Sequence, residues 1–97
     1  MRVRVRVRAV PPDEGGSKAP LWSGCRLRWL SDRTDLHEAA TVILASEPLD
    51  AGRIAPALLV PVDPDRWEGR VQAGDRLFTE PHDRQVINAF VLSVDPE

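Results

Sequence analysis

Arginine at positions 2, 4, 6 and 8, each separated by a single residue, is the densest run of chemistry-bearing side chains in the sequence. A guanidinium keeps its charge at any physiological pH and presents five donors in a planar fork, so a row of them suits phosphate or carboxylate groups. On a strand, alternate side chains lie about 6.6 to 6.8 Å apart, a span that could follow several phosphates. Arg26 and Arg28 repeat the spacing. If the first two strands pair through the long connection between them, these two arginines lie beside the first four and complete a six-arginine anion or RNA patch. The competing reading is a solvated strand face, neutralised by acidic partners such as Glu38 or Asp83 and useful against aggregation.

The other reactive side chains form no constellation. Cys25 falls at an inward position between apolar neighbours and reads as a small buried hydrophobe. His37 and His82 lack Cys or His companions at metal-ligand spacing. Asp63, Asp65 and Glu68 lack the glycine and terminal glutamate of a calcium loop and read as a solvated excursion. No nucleophile, base and metal set is visible, so the sequence predicts a chain that is not an enzyme, with no catalytic residue, no cofactor and no metal. Among the tryptophans, Trp29 follows a core pattern, while Trp22 and Trp67 lie in connections. A connection tryptophan covers a barrel end or anchors a partner, and both Trp22 and Trp67 are candidates for a protein interface.

The chain that must position these residues has 97 of them, 42% hydrophobic. That suits one domain spanning residues 1–97. Four of its 13 basic residues fall within the first eight positions; the remaining 9 face 15 acidic residues, a balance of −6. Positive charge is therefore a local feature of an acidic body, unlike a globally basic nucleic-acid binder. One cysteine excludes an intramolecular disulfide, no apolar run approaches the roughly 20 residues of a membrane span, and no secretory signal pattern opens the chain. The expectation is a cytoplasmic protein with no membrane association.

Period-two alternation dominates. Val3, Val5 and Val7 share one face of a first strand and the arginines the other. The stretch PPDEGGSKAP ends it, and GCRLRWL turns Cys25, Leu27 and Trp29 inward. SDRTDLHE reads as a loop in which Thr34 and Asp35 could cap a helical turn, and AATVILAS as a β-branched strand. In IAPALLVPV, Pro56 and Pro61 remove backbone donors and imply an irregular strand. RLFTE and RQVINAFVLSV flank a turn in which Pro81 suits the second position of type I. Six strands with no convincing helix predict an all-β fold, a small six-stranded antiparallel closed barrel whose closure leaves no open edge. The expected buried set includes Val3, Val5, Val7, Leu27, Trp29, Val42, Leu44, Leu58, Val60 and Phe90.

In order and spacing the chain resembles the carboxy-terminal β-barrel, the third domain, of elongation factor Tu, over Val3 to about Val94. The residues in step are Asp13, Glu14, Gly15, Gly16, Pro20, Trp22, Gly24 and Arg26 in the first block, and Gly74, Arg76, Arg84, Val86 and Val91 in GDRLFTEPHDRQVINAFVLSV. The family's tyrosine is Cys25 here, its Gly-Gly turn is His82-Asp83, and two strand glycines are Ile87 and Ala89. Those last two changes add bulk where the family's barrel lies near tRNA, which argues against tRNA binding in the family's manner. No phosphate-loop motif occurs, so no GTP binding is expected. In the translation factor this barrel packs against neighbouring domains, so a solitary copy leaves that face for a partner. The resemblance implies a stand-alone, non-catalytic binding module that recognises a protein partner or self-associates. An RNA- or ribosome-associated module using the arginine face is the alternative.

Overall fold

Alternation in the first ten residues becomes β1 (Arg2–Ala9), with Val3, Val5 and Val7 fully buried and Arg2, Arg4 and Arg6 exposed. The structure is a computed structural model that describes residues 1–80 and 86–96. The strands that follow are β2 (Cys25–Ser31), β3 (His37–Leu44), β4 (Ile54–Pro61), β5 (Arg76–Thr79) and β6 (Ile87–Asp95). They close into an antiparallel barrel in the order β1-β4-β3-β2-β5-β6, with β6 pairing back onto β1. The turn expected at Pro81, His82 and the candidate partner Asp83 lie outside the described residues, as does Arg84.

Every strand sends one row inward, and Trp29, Trp67, Leu21, Leu36, Leu59 and Leu77 are the bulkiest fully buried side chains. Of the expected core, Val3, Val5, Val7, Leu27, Trp29, Val42 and Leu44 are buried. Leu58, Val60 and Phe90 are not: Leu58 is half-buried, and Val60 and Phe90 face outward. Ala57, Leu59, Ala89 and Val91 occupy the interior instead. IAPALLVPV is apolar at every position, so its sequence lacks the polar alternation that sets phase, and a one-residue slip inverts both faces. In β6 the phase follows Asn88, which is exposed, as is Phe90 two residues on.

The expected pairing of β1 with β2 does not occur. Each flank of β1 is taken by β4 or β6, while β2 pairs with β3 and β5. The intervening connection is long enough to cross the barrel. It is held by a 3-10 turn at Pro12–Glu14 and by a bridge from Leu21 to Leu49. β4 is regular rather than broken. Its ladder with β3 stops at Ala57, so Pro56 lies past the last paired residue on that flank, and Pro61 is the final residue of the strand.

The polar excursion after β4 forms one helical turn, α1 (Pro64–Trp67), with proline at its start where a missing donor costs nothing. It drives Trp67 into the core, where the indole Nε1 donates to the Ala39 carbonyl at 3.3 Å. Thr34 caps no helix; its hydroxyl donates to the Arg70 carbonyl at 2.8 Å.

Among the described residues one carboxylate, that of Asp75, is buried with the core. Asp75 receives the Arg33 fork at 2.6 and 2.9 Å and the Gln72 N–H at 2.9 Å. The Arg33 hydrogen bonds hold its pKa below the ordinary 3.8; burial opposes this, and the Gln72 N–H adds to it. A depressed folded-state pKa contributes stability that is present above the unfolded value and lost as pH falls through the folded one. Asp75→Asn is expected to lower stability by about 2 kcal/mol at pH 7. Below about pH 4 the variant should lose stability less steeply than the parent, a difference that thermal melts across pH 2 to 7 would show.

Candidate partner-binding face

β4 carries an apolar side chain at every outward position: Ile54, Pro56, Leu58, Val60 and then Val62 just beyond the strand. Ile54 is 64% exposed and Val62 50%. Such a strand is apolar on both faces, which a barrel interior does not require. On the β3 flank, Ile43 lies opposite Leu58 and Thr41 opposite Val60. On the β1 flank, Arg4 lies opposite Leu58 and Arg6 opposite Pro56. Beyond β1, Val5 pairs with Val91 and Arg4 with Ser93, so Leu92 is the extra residue of a bulge, and it stays exposed. Ile43, Leu58 and Leu92 line a groove of about 420 Å³ together with Arg2 and Arg4.

The arginine row is divided. Arg8 is half-buried and engaged: its Nη1 and Nη2 donate to the two Glu14 carboxylate oxygens at 3.1 and 2.9 Å. Those hydrogen bonds hold the Glu14 carboxyl below its usual range. Arg2, Arg4 and Arg6 make no ion pair among the described residues. The acid expected to answer them, Glu38, pairs with Arg66 instead, at 3.7 Å. Arg26 and Arg28 are exposed on β2, three strands from β1 in either direction, so there is no six-arginine patch. What β1 has beside it in place of β2 is the apolar row of β4.

A second groove, of about 450 Å³, runs from β1 toward β5 and β6, with Ile54 of β4 also in its lining. There Phe90 lies opposite Arg6 on one flank and Arg76 on the other, with Phe78 opposite Asn88 one step along.

Set against known proteins, the chain matches no family model and no curated protein. Among the described residues no three His, Cys, Asp or Glu side chains gather where they could hold a metal ion, and no helix is long and apolar enough to cross a membrane. His37 contacts Glu80, and Cys25 is half-buried against the core.

The two tryptophan candidates separate. Trp67 has no exposed surface and leaves the interface candidates: the short helix that a proline starts turns it inward. Trp22 is 57% exposed. Its neighbours are tied to the end of β3 that carries Ile43, since Leu21 bridges Leu49 and the Ser23 hydroxyl accepts the Leu44 N–H at 2.9 Å. Trp22→Ala should therefore cost less than about 1 kcal/mol of stability; calorimetric unfolding measures this, and a loss of 3 to 5 kcal/mol, about that of a buried tryptophan, would contradict the placement.

The apolar surface that composition did not reveal (Ile43, Ile54, Leu58, Val60, Val62 and Leu92) had one signal in the sequence. Nine residues of IAPALLVPV contain no polar side chain, although an antiparallel strand with one wet face needs one at every second position. Arg4→Gln with Arg6→Gln removes charges that pair with nothing described. The double substitution should shift stability by no more than about 0.5 kcal/mol in a denaturant titration.

Proposed function

We propose that this chain is a non-catalytic binding module on a barrel of the elongation factor Tu third-domain type, acting in the cytoplasm and recognising a protein partner. The observation that carries the reading is the outward row of β4, apolar at all five positions from Ile54 to Val62 and bordered by arginines. Contiguous exposed apolar surface of this kind is an aggregation liability unless something covers it. Trp22, exposed between residues tied to Leu44 and Leu49, is a further large apolar side chain left open to solvent. Affinity capture with the intact chain, with and without nuclease, tests the reading. A bound protein should survive nuclease and be lost from the Leu58→Ser, Val60→Ser variant; loss on nuclease treatment alone would contradict it.

One observation favours a second reading, in which the module binds RNA. Phe90 between Arg6 and Arg76 combines an exposed ring with flanking cations, the pair of features on which single-stranded bases stack. Phosphate contacts would make that affinity fall steeply with salt, whereas an apolar protein interface hardly responds.

A further inference from the structure

We infer that the partner segment is an amphipathic helix whose apolar stripe is edged by acidic residues one turn apart; the inference rests on the protein-binding reading above. At one end of the arginine row Arg8 is answered by Glu14, and at the other Arg2 stands opposite Asp95 in the ladder. Arg4 and Arg6 have only Leu58, Pro56, Ser93 and Phe90 as cross-strand neighbours and no ion pair among the described residues. A partner that covered the β4 row would desolvate these two guanidiniums as well. A wholly apolar partner would leave them buried and unpaired, which is among the costliest outcomes at an interface. The incoming surface must therefore carry carboxylates directly beside its apolar contacts.

The spacing selects the element. An extended segment lying face-down presents one row of side chains and cannot offer an apolar row to β4 and an acidic row to β1 at once. A helix presents an apolar stripe with a second row beside it. Acidic residues at i, i+4 and i+8 rise about 6 Å per step, against about 6.7 Å between successive arginines of β1. Over the two steps from Arg2 to Arg6 the mismatch is about 1.4 Å, well within the reach of long, flexible side chains. Single-stranded RNA fits this face less well. Its bases stack on aromatic rings, while the side chains beside Arg4 and Arg6 on β4 are aliphatic, and the one aromatic neighbour of the pair, Phe90, stands beside Arg6 on the opposite flank of β1. A balance of −6 over the rest of the chain also repels a long polyanion.

The test uses the intact protein and three probes in fluorescence anisotropy: a helical peptide of about 18 residues with a leucine stripe edged by three glutamates at i, i+4 and i+8, the same peptide with glutamines at the edge, and a single-stranded RNA oligonucleotide. The glutamate peptide should bind at least about tenfold tighter than the glutamine peptide, equivalent to about 1.4 kcal/mol. Arg4→Gln with Arg6→Gln should remove most of that difference, and Arg26→Gln should leave it intact. Equal binding of the two peptides would overturn the acidic-helix inference and leave the protein-binding reading standing. Arginine-dependent binding of the RNA with no binding of either peptide would overturn both. Failure of all three probes to bind would overturn the inference alone, while retention of a nuclease-resistant captured protein would still support the broader reading.

Discussion

Trp67→Ala is expected to remove about 3 to 5 kcal/mol of stability, the range of a large-to-small change in a packed core. The indole is completely buried among the residues of the barrel interior, and its Nε1 donates to the Ala39 carbonyl at 3.3 Å. Truncation therefore leaves a cavity, while the Ala39 carbonyl keeps its other donor, the Val62 N–H at 3.1 Å. The one-turn helix that supplies this side chain has no other buried residue, so it should lose its anchor as well. Urea titration of the variant measures the effect. A midpoint within error of the parent would show that Trp67 is a surface residue, as the sequence alone had allowed. Trp67→Phe should recover part of the loss but not the hydrogen bond.

Gly16→Ala is expected to cost more than Gly15→Ala, against the usual expectation that the glycine of positive φ is the less replaceable. Gly15 has φ +92° and open space around a built Cβ, so its substitution meets only the left-handed penalty, about 1 to 2 kcal/mol. A Cβ on Gly16 would fall on the Val10 carbonyl, with the Pro11 carbonyl oxygen 3.0 Å away. Both neighbours are backbone, and the Gly16 N–H itself donates to Pro11 at 2.8 Å. Alanine must therefore shift the connection that leaves β1, and a loss above about 2 kcal/mol follows from strain that rotamers cannot relieve. Parallel melts of the two variants decide it; an equal or reversed order would mean the loop relaxes without disturbing β1.

Strand identity was legible wherever polar and apolar residues alternate. RVRVRVRA and CRLRWL carry their own phase, and Val3, Val5, Val7, Leu27 and Trp29 are buried accordingly. Phase is illegible in β4, where both faces are apolar: its sequence admits Leu58 and Val60 as inward residues, although Leu59 is the core residue. Partnership is illegible too. Nothing within β1 or β2 states that the connection between them crosses the barrel, because pairing is settled by closure of all six strands. Spacing alone therefore sets Arg26 and Arg28 beside a row they do not approach, and gives no sign that Leu58 and Pro56 are the neighbours of β1. Trp67 illustrates a third limit: a polar stretch hides a single helical turn whose only buried residue is the one that matters.

Photocrosslinking decides whether a protein binds at the outward face of β4. A benzophenone side chain placed at Val60, exposed and bordered by Thr41 of β3, is compared in native cells with the same group at Arg26, exposed on the far side of the barrel. The structure leads to a discrete, protease-sensitive and nuclease-resistant adduct from position 60 and none from position 26. Adducts from position 26 alone, or an adduct at position 60 that nuclease removes, would contradict it.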